Sequence, residues 1–401
     1  MGLPAIKPLV SARRALDKRE MDGERSDREQ HDGRPAVVIF RSPLFNRSET
    51  FVRAHAESLR RYRPLLVGLE DKGNVPAPLQ GDLFVPDGAA NRLAARLGSL
   101  GSLLQRLGPH RPRLVHAHFA TDGLAALVLA RSLNVPLVTT LHGYDVMLGR
   151  RRMFASGRLS WARYALQRRH LMRNGALFLP VSDALRREAI EQGFPEERTP
   201  THYLGVDLSR FTAGGEPEAG LILHVGRLVE KKGTRVLIEA MARLPGARLV
   251  VIGDGPERAS LERQAALLGE RVRFLGALDP EAVAGWMQRA ALLAAPSLTA
   301  RDGDAEGLPT VIVEAAASAM PVVATRHSGI PEAVVDGETG FLVPEGDAAA
   351  LAERLALLLG SAETRERMGR AARAMAEAKF DLTLQTARLE DLYDRLTAAG
   401  R

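Results

Sequence analysis

Cysteine is absent from this chain of 401 residues. Disulfides and thiolate metal sites are thereby excluded, and a reducing compartment is compatible with the composition. No uncharged apolar stretch reaches the ~18–20 residues that a membrane span requires. The chain starts without an apolar h-region, so no secretory signal is expected, and the sequon Asn46-Arg47-Ser48 carries no expectation of glycosylation. The expected location is cytoplasmic. Aromatic residues make up only 5% of the chain, while 45% is hydrophobic, as in a globular protein rich in Ala, Leu and Val. Acidic residues are missing altogether between Asp145 and Asp183.

That last gap holds Arg150, Arg151, Arg152, Arg158, Arg163, Arg168, Arg169 and Arg173, interleaved with Trp161, Tyr164 and Leu171. The net charge is +7. A basic helix over 150–173 suits the anionic inner face of a plasma membrane, where each cation contributes ~1 kcal/mol. The plainer alternative is a solvated basic face. Nucleic acid fits poorly, since no recognition motif accompanies the cations.

The length implies two domains. Residues 1–34 form a mixed-charge tract with few large apolar residues after Leu16, which predicts a disordered tail. From Ala36 strand and helix alternate. Strands are expected at Ala36–Phe40, Leu65–Leu69, Leu114–His118, Pro136–His142 and Leu177–Val181, with another near His202. Helices are expected at Ser48–Arg61, Arg92–Leu107, Leu124–Leu133 and up to about Gln192. The pattern resumes at Leu221 and runs to about Val343, and a last helix covers Leu382–Ala398. Such alternation predicts an α/β protein with two doubly wound parallel sheets facing a cleft. The expected division is 35–207, a linker at 208–220 loosened by Gly214 and Gly215, then 221–380 and a terminal segment 381–401.

Four side chains in the second half point to chemistry. Glu306 lies in a Gly/Pro-rich loop, and Glu314 lies a turn or so inside an apolar helix that Pro309 suits in its first turn. Carboxylates facing a crevice grip vicinal hydroxyls, and a helix start offers N–H groups to a phosphate. Upstream, the apolar run Leu221–Val225 ends at Gly226, and Arg227 and Lys232 follow before the next helix. Cations at the carboxyl edge of an open α/β sheet are placed to bind an anion. Sugar and diphosphate sites together indicate a nucleotide sugar. In the first half His142 follows a strand, in Thr-Leu-His-Gly-Tyr-Asp, with Gly143 permitting a sharp turn. Asp145 is placed to orient that histidine or to bind an acceptor hydroxyl. His116 and His118 alternate along a strand and are rival candidates. Asp302-Gly303-Asp304 imitates an Asp-x-Asp metal motif, but it sits in a loop before the Glu314 helix. No zinc-like spacing appears, and no metal or cofactor is expected.

Taken together, GRLVEKKG, VVIGDGPE, EGLPTVIVE and SGIPEAVVDGETGFLVPEGD resemble the retaining GT-B glycosyltransferases of family 4 over roughly residues 35 to 395. The segments PSLTARDGDAEGLPTVIVE and FNRSETFVRAHAESL are most similar to enzymes that build bacterial exopolysaccharide, of the colanic-acid type. The resemblance implies two Rossmann-like domains, with the last helix crossing back to the first. It implies a retaining transfer of a hexose from a UDP- or GDP-sugar to a lipid-linked or oligosaccharide acceptor. Arg227 and Lys232 would hold the diphosphate, with Gly226, Leu308 and Thr310 also on the donor. Glu314 would bind the ribose and Glu306 the transferred sugar. His142 would line the reaction centre, with Asp145 and His118 on the acceptor side. One departure is the first strand–helix loop, where many relatives carry a Gly-Gly pair and this chain has RSPLFNRSETF. The readings set against this one are another GT-B enzyme, such as a nucleotide-sugar epimerase or a phosphorylase, and a non-catalytic sugar-binding partner in a polymer-assembly complex.

Overall fold

The computed structural model describes residues 33–44, 49–71, 73, 82–88, 91–92 and 99–398. The expected tail lies almost wholly outside them, as do Ser48 and residues 93–98 of the helix expected over Arg92–Leu107.

The first half runs β1 (Ala36–Phe40), α1 (Thr50–Ser58), β2 (Arg63–Val67), β3 (Leu83–Phe84), α2 (Gly101–Leu107), β4 (Leu114–His118), α3 (Ala120–Leu133) and β5 (Leu137–Leu141). It continues with α4 (Tyr144–Met147), α5 (Arg150–Ala155), α6 (Leu159–Asn174), β6 (Leu177–Pro180) and α7 (Asp183–Glu191). The second half runs β7 (Leu221–Val225), α8 (Thr234–Met241), β8 (Arg248–Ile252), α9 (Arg258–Ala265), β9 (Val272–Gly276), α10 (Pro280–Arg289) and β10 (Leu292–Ala295). Then follow α11 (Thr310–Ala317), β11 (Val322–Thr325), β12 (Gly340–Val343), α12 (Ala348–Gly360), α13 (Ala362–Met375) and α14 (Leu382–Ala398).

Both sheets are parallel and six-stranded, ordered β3-β2-β1-β4-β5-β6 and β12-β11-β10-β7-β8-β9. Counted from its own first strand, each has the order 3-2-1-4-5-6. The winding reverses between β1 and β4 in one sheet and between β7 and β10 in the other, and ligands bind outside the strand ends at such a reversal. Strands covered by helices on both faces need continuous apolar runs, as in the buried Ala-Val-Val-Ile-Phe of β1. Polar exceptions inside the sheets are bonded: the His224 ring on β7 meets the Ala294 carbonyl and the Thr234 hydroxyl, each at 2.9 Å.

Local differences from the expected elements have tertiary causes. The helix after β4 starts at Ala120 rather than Leu124, because the distant Asp145 carboxylate accepts the Ala120 amide at 2.8 Å. No sheet strand forms near His202; the chain there turns toward the domain crossing, and its ladder contact is a single bridge from Val206 to Asp381. Pro309 stands one residue before α11 as its cap, at φ −65° and ψ 117°, rather than inside the first turn.

Two passages join the halves side by side. Residues 208–220 form one, with Gly214 and Gly215 at φ 146° and 93°. The other leaves α13 through a π-helical turn, Ala376–Phe380. The Val206 amide donates to the Phe380 carbonyl at 2.8 Å, and the Leu382 amide donates to the Val206 carbonyl at 3.0 Å. Helix α14 then lies on the first sheet, where Leu389 and Tyr393 pack among Val37, Ile39 and Leu66. Its Glu390 accepts the amides of Arg60 and Arg61 at 2.9 and 2.7 Å.

Candidate active site

The carboxyl ends of the two sheets face each other. On the second sheet, β7 ends at Gly226, and Lys232 folds back so that its stem lies across that glycine; a Cβ there would meet Lys232 Cδ at 3.2 Å. Gly233 makes this return possible. It adopts φ +66°, and a Cβ would sit 1.8 Å from the Pro296 carbonyl. Lys232 Nζ thereby reaches Glu306 Oε1 at 3.0 Å. Lys231 pairs with Asp304 at 3.0 Å and donates to the Ala305 carbonyl at 3.3 Å. Arg227 is exposed at the mouth of the crevice, close enough to Lys231 to repel it.

Burial pushes the Glu306 carboxyl up, but Lys232 and Lys231 outweigh it and hold the group below its ordinary range. Its loop is fixed from behind: the Glu306 amide donates to His327 Nε2 at 3.2 Å, and His327 Nδ1 lies 2.6 Å from Glu345. Glu314 is different. Burial pushes it up to about 7, against the opposing pull of the Thr310 hydroxyl, Arg210 and Lys232. Leu308 is buried, and Thr310 is half-buried and bonded to Glu314.

The first sheet presents His142 from the turn after β5. Its ring touches those of Phe51 and Phe119, each with its centroid 4.4 Å away. Phe119 adopts φ +68°, unusual for a bulky residue. The Arg41 guanidinium covers its ring at 4.3 Å. Arg41 itself is buried at the end of β1. It forks onto Glu49 at 2.8 and 2.6 Å and reaches Asp122 at 2.7 Å. Burial works against its charge, but these two acids raise its pKa above the ordinary guanidinium value.

The halves touch at the site. Gly307 lies against the His142 carbonyl, and a Cβ at 307 would stand 2.3 Å from that oxygen. The Ser182 hydroxyl donates to the Gly307 carbonyl at 3.2 Å. Beside it, Glu332 of the second half accepts the first amides of α7, from Asp183 and Ala184, both at 2.8 Å.

Lys232 and Glu306 therefore meet beside the His142 turn, Glu314 lies close enough to Lys232 to feel its charge, and Arg227 is exposed. Asp145 does not face the crevice. One oxygen accepts the His142 and Gly143 amides at 3.1 and 2.9 Å, and the other accepts Ala120, so it holds the turn's backbone instead of meeting a hydroxyl. His118 is buried behind His142, with His118 Nδ1 3.1 Å from His142 Nε2. Asp304 of the Asp-x-Asp lookalike is taken by Lys231. Among the described residues, the side chains that lie close enough to hold a metal ion are His55, His116 and His118, whose ring nitrogens lie within 4.8 Å of one another.

Sequence reasoning missed Arg41, Lys231, His327, Glu332 and Phe51. Arg41 was findable: a cation directly after a buried strand is the signal that singled out Arg227. Partners such as Glu332, contributed across the domain contact, leave no local signal.

A family profile described as glycosyl transferases group 1 matches residues 208–375, and one described as glycosyltransferase family 4 matches residues 48–210. The amylovoran biosynthesis glycosyltransferase AmsK of Erwinia amylovora is 33% identical over 294 residues, covering 71% of this chain and 70% of that protein. The WcaL proteins of Salmonella typhimurium and Escherichia coli, named for colanic acid biosynthesis, are both 36% identical; the match covers 60% and 62% of this chain and the same shares of theirs. The chain thus spans about three fifths of the length of those two relatives. Among solved structures, Anabaena HepE in complex with UDP aligns with a TM-score of 0.73 at 23% identity, over 90% of this chain and 100% of that one. Sucrose-phosphate synthase from Thermosynechococcus elongatus aligns with a TM-score of 0.75 at 20% identity, over 91% and 100%. These likenesses establish the two-domain GT-B fold.

Proposed function

This chain belongs to the family 4, group 1 glycosyltransferases, and from that premise we propose that it moves a hexose from a nucleoside-diphosphate sugar to a lipid-linked or oligosaccharide acceptor in exopolysaccharide synthesis, with retention at the anomeric carbon. The observation that carries the reading is the Lys232–Glu306 pair, 3.0 Å apart where Gly307 meets the His142 carbonyl. A cation for a diphosphate, an acid for sugar hydroxyls and a polar group from the opposite domain then surround one space.

Lys232 and Arg227 hold the diphosphate and neutralise it as it leaves. The Lys232 ammonium is shared between Glu306 and that diphosphate. Glu314 takes the ribose hydroxyls and Glu306 those of the transferred sugar. The acceptor oxygen attacks on the face the nucleotide leaves; the bond to the diphosphate breaks, and the departing phosphate takes the acceptor's proton. The His142 turn supports positive charge at the anomeric carbon, and the domain contact excludes water. Charge neutralisation by two side-chain cations needs no metal, so the transfer is proposed to survive chelation.

The donor is a UDP- or GDP-hexose; the fold neighbour HepE has also been solved with UDP-glucose. The acceptor is proposed to sit at a membrane surface. No described helix is long and apolar enough to cross a bilayer. Instead α5 and α6 expose Leu159 (71%), Leu166 (64%) and Phe154 beside Arg150, Arg151, Arg152 and Arg158. Tyr164 and Leu171 of this segment, expected to interleave with the cations, are core residues, and Trp161 stacks on Tyr144 with centroids 4.9 Å apart. A face of cations and outward apolar side chains is suited to the anionic interface.

The test is a screen of UDP- and GDP-hexoses for hydrolysis and transfer, with and without EDTA. Product masses identify the sugar, and the anomeric proton coupling identifies the linkage. Turnover of one donor with an α-linked product from an α-linked donor is expected. Inertness toward every donor and acceptor refutes the proposal.

A further inference from the structure

Three buried histidines and the half-buried His142 form a continuous chain behind the His142 turn. His142 Nε2 meets His118 Nδ1 at 3.1 Å, and His118 Nε2 meets His55 Nδ1 at 2.9 Å. His55 Nε2 meets the Tyr393 hydroxyl at 3.0 Å. That hydroxyl also meets His116 Nδ1, and His116 Nε2 ends the chain on the Thr140 hydroxyl at 2.6 Å. The links come from α1, β4, β5 and α14; His55 and Tyr393 are 338 residues apart. Burial lowers the pKa of all four imidazoles, which keeps them neutral.

A neutral imidazole has one N–H and one lone pair, and a hydroxyl donates once. A hydroxyl oxygen also accepts twice, and the proton count then leaves three arrangements in which every contact is a hydrogen bond. In one, Thr140 donates to His116, His116 to Tyr393, Tyr393 to His55, His55 to His118 and His118 to His142. His142 then carries its proton on Nδ1. In the second every donor reverses; in the third His116 and His55 both donate to the Tyr393 oxygen, whose own proton turns out of the chain. His142 Nδ1 carries the lone pair in both. Any other state leaves two lone pairs or two protons facing each other inside the protein, which is costly. The tautomers of His55, His118 and His142 must switch together, and His142 carries its proton on Nδ1 only while Tyr393 donates to His55. A metal on His55, His116 and His118 would break this chain, since the Tyr393 hydroxyl already stands between His55 and His116.

We propose that Tyr393 is a positioning residue that sets the tautomer of His142 through this hydrogen-bonded chain, so that the terminal helix determines whether His142 Nδ1 carries a proton or a lone pair. The proposal rests on the reading of His142 as lining the site, but its first readout does not. Nitrogen-15 NMR of the histidine-labelled full chain is expected to show the wild-type His142 in a single tautomer. In Tyr393→Phe, whose shape is nearly unchanged, His142 is expected to become a mixture. An unchanged His142 in folded Tyr393→Phe overturns the proposal. So does stoichiometric binding of added zinc that requires His55, His116 and His118. If the tautomer mixes, kcat is expected to fall about tenfold, the size of one lost buried hydrogen bond, with the donor KM unchanged. A mixed tautomer with unchanged kcat leaves the chain in place and refutes the catalytic reading of His142.

Discussion

Glu314 and Glu306 sit one loop apart, yet their protonation differs in direction. Lys232 and Lys231 keep Glu306 ionised, whereas burial brings Glu314 to about 7. A carboxylate accepts from both ribose hydroxyls and a carboxylic acid does so less well. Donor affinity is therefore expected to rise as pH increases through 7, and calorimetry at pH 6 and pH 8 checks it. Glu314→Ala should weaken donor binding by ~2–3 kcal/mol at pH 8, from lost charge-assisted hydrogen bonds, and flatten that profile. Unchanged affinity would remove Glu314 from the ribose. The stability consequence runs the other way. A folded pKa above the ordinary value means that Glu314 stabilises fully below about 4.5, and this contribution is lost as pH rises through 7. Lys232→Ala is expected to lower turnover by about 10²–10³, as loss of one preorganised donor does. It also strands Glu306, so Lys232→Ala with Glu306→Gln is the control; recovery of turnover in the double variant would take Lys232 out of the leaving-group role.

Among the elements, the turn after β5 and the loop before α11 depend most on each other. Gly307 is legible as a loop glycine from its neighbours Leu308 and Pro309, but its necessity is not. That comes from the His142 carbonyl of the other domain, which a Cβ would meet at 2.3 Å. Gly307→Ala should hold the domains apart and cost about a hundredfold in kcat, the scale of a misplacement near 1 Å. Small-angle scattering should show a more open molecule; full activity would mean that the contact is dispensable. Strands were legible because both faces are buried and the residues read as unbroken apolar runs: β1, β4 and β7 have the bounds expected from sequence. Helix starts were less so. Asp145 caps α3 from twenty-odd residues away, whereas at α7 Glu332 of the other domain adds to the local cap Ser182, whose hydroxyl accepts the Leu185 amide. A cap supplied only from a distance, as at α3, leaves no mark beside the helix.

At the level of the whole molecule, the C-terminal helix and the first sheet enclose imidazoles that are easier to protonate in the unfolded chain. Burial lowers His55 to about 3 and His202 to about 4, and His224 in the second sheet also to about 4. Depressed folded values stabilise fully above the ordinary 6.5, and the contribution is lost as pH falls toward 4 and 3. The melting temperature should therefore drop between pH 6.5 and pH 4, a fall that scanning calorimetry would detect; a flat profile would place these rings in water.

What the sequence determined by itself is whatever short-range pattern can encode. Alternating apolar runs and helical spacings specify two doubly wound sheets. They also single out a glycine followed by cations after a buried strand, and two acids around a helix start, as candidate site residues. Tertiary structure alone decided which of these marks share a space. It turned Asp145 onto backbone amides, gave Asp304 to Lys231, and sent Tyr164 and Leu171 of the basic segment into the core. It also joined His55, His118 and His142 to Tyr393. The reason is that a side chain's partner across a parallel sheet or a domain contact is set by packing between segments tens to hundreds of residues apart, and no local spacing carries that information.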